Sequence, residues 1–249
     1  MDARKTQFFK VLDGRKQFTI PIYQRTYSWE ITQCKQLWDD IVKVSKDDEN
    51  VGHFIGSIVF IEEGEYLSSD ITHLHLIDGQ QRLTTILLLV SALGDAVEQK
   101  GKSEGLSKTK IQNTFLFNVD EEEENHYKLI LTQSDKDTLI NILEGLELSE
   151  KSSRNLVTNF EFFKEQISNS EIDLDAIYKG ILKLITVEIS LGKDDDAQSI
   201  FESLNSTGLE LSQADLIRNY VLMGLERQEQ TRIYKNYWFK IEEGFGHSE

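Results

Sequence analysis

A chain of 249 residues with 39% hydrophobic content and one cysteine, Cys34, can bury a sizeable core with neither a disulfide framework nor a cysteine-ligated metal cluster. Its formal net charge of −16 counts against general binding to a phosphate backbone, which draws its affinity from counterion release at a positive face. Contact with DNA would then need a local basic patch or another region of the protein. No long apolar stretch follows the opening MDARKTQFFK, and the longest apolar run, Ile86 to Val90 with Ala92 and Leu93 beyond, is too short to cross a bilayer. The expectation is a soluble, cytoplasmic protein without a secretory signal or membrane segment.

The chain reads as mixed α and β in three stretches, 1–97, 98–183 and 184–249. In the first, Phe18 to Tyr23 is apolar and extended, and Pro21 within it suits an edge strand or a strand end. Trp29 to Val44 has helical periodicity, with Leu37, Trp38, Ile41 and Val42 on one face. Phe54 to Ile61 is a β-branched run that predicts a buried strand, and Leu74 to Ile77 predicts another. A helix follows, carrying Leu83, Ile86, Leu87, Val90 and Leu93 on one side. The second stretch opens on the connector QKGKSEGLSKTK, passes an acidic run, Asp120 to Glu124, and predicts helices over 134–146, 153–168 and 174–183, a helical lobe without motifs. In the third, Leu184 to Leu191 predicts a strand returning to the first sheet. Helices are expected over Ala197 to Leu204 and Gln213 to Leu225, joined by NSTGLELS, and then an aromatic segment with Tyr234, Tyr237, Trp238 and Phe239.

Three segments have the residue types for chemistry. In LIDGQQRLTT a strand ends at Asp78 and a helix starts almost at once. Asp78 can cap that helix, and Gly79 permits both a tight turn and close approach of a ligand to the backbone. The helix N-terminus offers unpaired N–H groups and a positive dipole end, with Arg82 in its first turn to fork onto phosphate oxygens and Gln80, Gln81, Thr84 and Thr85 around it. A capped strand–turn–helix with a salt-bridged arginine has the same pattern, and no glycine-rich phosphate loop accompanies it. In IPIYQRTYSW, an extended backbone would put Tyr23 and Arg25 on one side and Gln24 on the other. An adjacent aromatic ring and arginine can stack on a base and pair with phosphate. The alternative is a plain strand with a polar end, with Tyr27 and Trp29 in the core.

The third segment is FESLNSTGLELSQADLIRNYVLM. Gly208 fits a turn, Ser212 an N-cap and Asp215 its box partner. Leu216, Ile217, Tyr220 and Val221 are expected on the buried side, while Asn205, Ser206 and Thr207 lie in a polar connector able to line a pocket. A helix-turn-helix reading finds few cations, Arg218 and Arg227 beside Asp215 and Glu226, and is a poor match to a DNA reader. His53, His73 and His75 form no ligand set with nearby carboxylates, so structural or solvent-facing roles are expected and no metal site is assigned. No Ser-His-Asp constellation, dinucleotide loop or HNH centre is recognisable.

In this order, IPIYQRTYSW, HFIGSIVF, LIDGQQRLTT and IFESLNSTGLELSQADLIRNY resemble the N-terminal domain of GmrSD-type restriction endonucleases. The resemblance implies an α+β fold of ParB/sulfiredoxin-like type, a small mixed sheet with flanking helices plus the helical lobe. It also implies a nucleoside triphosphate site at the DGQQR turn, with Gly79, Arg82, Thr84, Thr85 and Asn205 binding the nucleotide. Mg²⁺ would come with the triphosphate, and Asp78, Gln80, Gln81 and Arg82 would serve catalysis, a glutamine orienting water while Glu202 approaches from the returning helix. Tyr23, Gln24 and Arg25 would form a second motif, close to the nucleotide or engaged in DNA sensing. The implied function is a nucleotide-binding, NTP-hydrolysing regulator of modification-dependent DNA restriction in phage defence. DNA would be met through the full-length protein or a partner, and cleavage would fall to an HNH-type nuclease domain or subunit outside this sequence. The alternative is a non-hydrolysing nucleotide- or DNA-binding switch related to ParB.

Overall fold

The computed structural model describes residues 1–46, 52–62, 71–100, 105–192, 195–205 and 212–245. Strand β1 (Asp2–Gln7) and a single helical turn, α1 (Phe8–Val11), lead to β2 (Lys16–Thr19). β2 stops short of Pro21, whose ring has no N–H for a ladder. The expected strand over Phe18 to Tyr23 is therefore only half right: residues 22–24 turn, closed by Gln24 N–H donating to Pro21 O at 3.0 Å. β2 is also not an edge, since it lies between two other strands. Helix α2 (Ile31–Ser45) buries Leu37, Trp38 and Ile41 as its periodicity requires.

Strands β3 (His53–Glu62) and β4 (Thr72–Asp78) follow and pair antiparallel, Val59 facing Asp78 and Ile61 facing His75. Helix α3 (Gln80–Lys100) comes directly after and is buried on all sides from Leu83 to Gly94, not on one face only. The run ILLLV permits this, because α3 is enclosed by the sheet and by helices on its outer side. Those helices are α4 (Lys108–Phe115), α5 (Gln133–Glu144), α6 (Arg154–Asn169) and α7 (Leu174–Leu182), with the two-residue strand β5 (Leu129–Ile130) before α5. The chain closes with β6 (Leu184–Leu191), α8 (Ala197–Asn205), α9 (Gln213–Leu222), α10 (Arg227–Ile233), a π-helical turn at Tyr234–Trp238 and α11 (Phe239–Phe245).

The architecture is α+β around one mixed six-stranded sheet in the order β1-β6-β3-β4-β2-β5. β6 inserts between β1 and β3, antiparallel to the first and parallel to the second. The two sheet faces have different covers. Phe18, Ile58, Phe60, Leu74 and Leu76 join α2, α3 and the helices of the middle stretch in one core cluster running from Phe8 to Leu184. Val59, Ile77 and Leu191 look the other way, onto Phe201 of α8. α9 reverses its expected orientation. Arg218, Asn219 and Leu222 are buried, whereas Leu216, Ile217, Tyr220 and Val221 are exposed. The cause is polar: Arg218 Nε donates to Tyr23 O at 2.7 Å and Nη2 pairs with Asp215 at 2.6 Å, which turns that side inward.

Candidate functional site at the β4–α3 turn

Only Gly79 separates β4 from α3, and the geometry demands a glycine there. Its φ is +97°, and a Cβ would lie 2.6 Å from Ile58 Cδ1 and 2.8 Å from Ser57 O. Gly79 O accepts the first helical hydrogen bond, from Leu83 N–H at 2.9 Å, so the N–H groups of the first turn have no intrahelical partner. Asp78 does not cap them. Its carboxylate accepts from Ser57 Oγ at 3.3 Å and lies 3.8 Å from Arg82 Nη1.

Arg82 turns back onto β3. Its guanidinium donates to Ser57 O and covers Gly56, whose φ is +101° and whose missing Cβ would sit 2.9 Å from Arg82 Cζ. Gly56 lies where the β3–β6 register shifts, a bulge that makes this close approach possible. The outer side of Arg82 lines a cleft of about 260 Å³ with Trp29, Gln33, Gln36, Asp40 and Phe54, and with His53, whose Nε2 is 3.2 Å from Asp40.

Both glutamines of the turn are fastened to the 25–29 loop. Gln81, nearly buried, accepts Ser28 N–H at 2.8 Å and Trp29 N–H at 3.1 Å on Oε1 and donates from Nε2 to Thr26 O at 3.2 Å. Gln80 donates to Arg25 O at 3.1 Å, leaving its own Oε1 unbonded among the described residues. Other elements complete the clamp. Tyr27 N–H donates to Asp135 of α5 at 2.6 Å, and Asn159 of α6 donates to Tyr27 Oη at 2.9 Å and Trp29 O at 2.8 Å. Burial raises the Asp135 pKa, with bonds from Ser153 and Tyr27 opposing the shift. The middle helices therefore shape the site, although their sequence carries no motif. Gly56, inside an apolar strand run, was the one legible hint of a close approach missed by sequence reasoning.

The loop so held presents Arg25. It is half-buried, and among the described residues its guanidinium has no hydrogen bond or ion pair. Burial lowers its pKa, Asp215 and Asp78 oppose that shift, and Arg218 adds to it. Arg25 and Gln80 border a recess of about 10 Å³ walled by Ile20, Leu131 and Thr132.

The structure thus gathers Asp78, Gly79, Gln80, Arg82 and Arg25 around one turn. It withdraws others. Tyr23 is buried beside Leu222 and Tyr234, where burial raises its pKa, and Gln24 donates to Leu76 O at 2.6 Å and Ile77 O at 3.0 Å. The supposed alternation of Tyr23 and Arg25 on one strand face fails because the segment turns. Thr84 and Thr85 are fully buried; Thr85 Oγ1 bonds Tyr27 Oη and Gln81 O, whereas Thr84 lines the recess beside Arg25 and Gln80. Asn205 ends α8, while Ser206, Thr207 and Gly208 lie outside the described residues. Glu202 is exposed and accepts from Gln198 at 2.9 Å. Ser212 caps α9 in a box with Asp215, as its sequence predicts. Among the described residues no three His, Cys, Asp or Glu side chains converge on a metal position, and no helix is long and apolar enough to cross a membrane.

The family model for the N-terminal domain of the GmrSD restriction endonuclease matches residues 8–222, which include every element of this site. The chain belongs to that family, and its role lies in a DNA restriction system. No curated protein matches the chain significantly.

Proposed function

We propose that the chain is the nucleoside triphosphate-binding and NTP-hydrolysing regulatory module of its restriction system, acting through the β4–α3 turn. The observation that carries the reading is Arg25. A half-buried guanidinium with no hydrogen bond or ion pair among the described residues is costly even with Asp215 and Asp78 in its neighbourhood, and it stands beside the first-turn N–H groups and positive dipole end of α3. Phosphate oxygens at the mouth of the recess satisfy both. Arg25 is then the phosphate anchor. Arg82, already bonded to Ser57 O and next to Asp78, fixes the carboxylate and the glycine bulge and supplies positive charge from below.

Mg²⁺ fits this site only as a companion of the phosphates, since Asp78 is a single carboxylate and magnesium commonly joins one or two carboxylates to substrate oxygens. The ion would neutralise charge on the transferred phosphoryl group. Gln80, with Oε1 unengaged, is the residue able to orient an attacking water, whereas both ends of Gln81 are bound to backbone. DNA contact and strand cleavage belong in this reading to other regions or subunits of the system, including an HNH-type nuclease, because the surface charge is strongly acidic.

The test is phosphate release from ATP, GTP and CTP with Mg²⁺, run beside nucleotide-binding calorimetry on wild type, Arg25→Ala and Arg82→Ala. Loss of both binding and turnover in a folded Arg25→Ala protein is the expected result. Arg25-dependent binding without turnover would instead make the module a non-hydrolysing switch. Absence of both in wild type overturns the site.

A further inference from the structure

A cavity of about 570 Å³ near the turn lies against the sheet face opposite α3. Its floor is the β2–β4 surface with Thr19, His73, His75 and Ile77, and Met223 and Gln230 close it from the C-terminal helices. The cavity and the Arg25 recess are neighbours: Ile20, Leu131 and Thr132 line both. Ile77 on its floor is followed directly by Asp78, and Tyr23 on its wall stands two residues before Arg25.

The chemistry of the lining differs from that of the turn. Its lysine, Lys136, is already bonded to Glu124, and the Thr19 hydroxyl lies 2.7 Å from His75 Nδ1. The His73 imidazole has no partner among the described residues, and the remainder mixes isoleucine, leucine and methionine with the neutral polar groups of Gln17, Asn125, Thr132, Gln230 and Thr231. A hollow of a few hundred Å³ that mixes aliphatic walls with neutral hydrogen-bonding side chains, and whose lysine is already paired, suits a neutral, flat, hydrogen-bonding molecule rather than phosphate. We propose that this cavity holds the nucleoside end, base and ribose, of the nucleotide whose phosphates meet Arg25. The inference rests on the proposed phosphate site and assigns the selection of the base to His73 and the cavity walls, not to the DGQQR turn.

Two half-ligands separate the claims. Inorganic triphosphate probes the Arg25 recess, and adenosine, guanosine, cytidine and uridine probe the cavity, each titrated against wild type, Arg25→Ala, His73→Leu and Ile61→Trp by calorimetry and ligand-observed NMR. Circular dichroism and thermal melts establish that each variant is folded. At least one nucleoside is expected to bind wild type and Arg25→Ala alike, roughly fivefold more weakly to His73→Leu, as loss of one neutral hydrogen bond predicts, and not to the cavity-filling Ile61→Trp. Triphosphate binding should show the reverse dependence. No nucleoside binding at millimolar concentration, or binding unchanged in both cavity variants, overturns the inference. Nucleoside binding without triphosphate binding would keep the cavity and remove the phosphate site.

Discussion

At the scale of single residues, the site is organised by side chains whose partners are backbone groups. Gln81 holds two N–H groups and a carbonyl of the 26–29 loop, and Asn159 reaches the same loop from α6. Lys128 does similar work at the opposite end of the sheet. It is buried, donates to Leu12 O at 2.7 Å and Gly14 O at 2.8 Å, and burial lowers its pKa to about 8 from the ordinary 10.5. A depressed folded pKa means that, between pH 8 and 10.5, the unfolded chain retains a proton the folded chain has shed. Stability from this group is therefore present above the upper value and lost as pH falls toward 8. Denaturant unfolding of wild type and Lys128→Met at pH 7, 8.5 and 10 should show the wild type gaining on the variant as pH rises, with a constant difference below about pH 8. Cys34, whose thiol burial pushes up to about 12, pulls the other way above pH 9 but cancels in that comparison.

At the scale of elements, the bulge in β3 is the device that lets Arg82 lie flat on a strand. Gly56 supplies the positive φ and the missing Cβ, and Thr186 of β6 donates to its carbonyl at 2.7 Å. Gly56→Ala would force the guanidinium off Ser57 O and strain the backbone, at a cost of about 1–3 kcal/mol. The expected signature is a lower denaturation midpoint and, at the proposed nucleotide site, weaker binding because Asp78 and the turn lose their support. A Gly56→Ala protein as stable as wild type would show that the bulge is not held by this contact. The LIDGQQR segment announced its strand–turn–helix and the need for glycine at its hinge, because both follow from local backbone chemistry. The same segment misled on Asp78 as a helix cap, and it does not reveal that Thr84 and Thr85 are buried. Whether a carboxylate caps a helix or faces a neighbouring strand is set by β3, which is distant in sequence.

At the scale of the whole molecule, one apolar cluster joins the sheet to the helices of the middle stretch. α3 is the common partner, packed by α4, α6 and α7. Residues of the 98–183 stretch should therefore unfold together with the sheet. Tryptophan fluorescence, reporting largely on Trp29 and Trp38 in the main cluster, and far-ultraviolet circular dichroism are expected to give coincident urea transitions. Separate transitions would show that the helices fold as an independent unit.

The sequence by itself determined the α+β class, most of the strands and helices, the family and the glycine at the β4–α3 hinge. Each of these is written in hydrophobic period or in backbone chemistry confined to a few neighbouring residues. It also determined that α9 is a capped helix, through Ser212 and Asp215, but not which way the helix faces. That was decided by Arg218, whose hydrogen bond to Tyr23 O crosses 195 positions of sequence and buries a polar side in place of the apolar one. Tertiary structure likewise decided that Tyr23 and Gln24 serve the core, that Gln81 clamps a loop, and that Arg25 has no hydrogen bond or ion pair among the described residues. Burial and hydrogen-bond satisfaction depend on what the rest of the chain brings alongside a residue, and no local pattern of residue types records it.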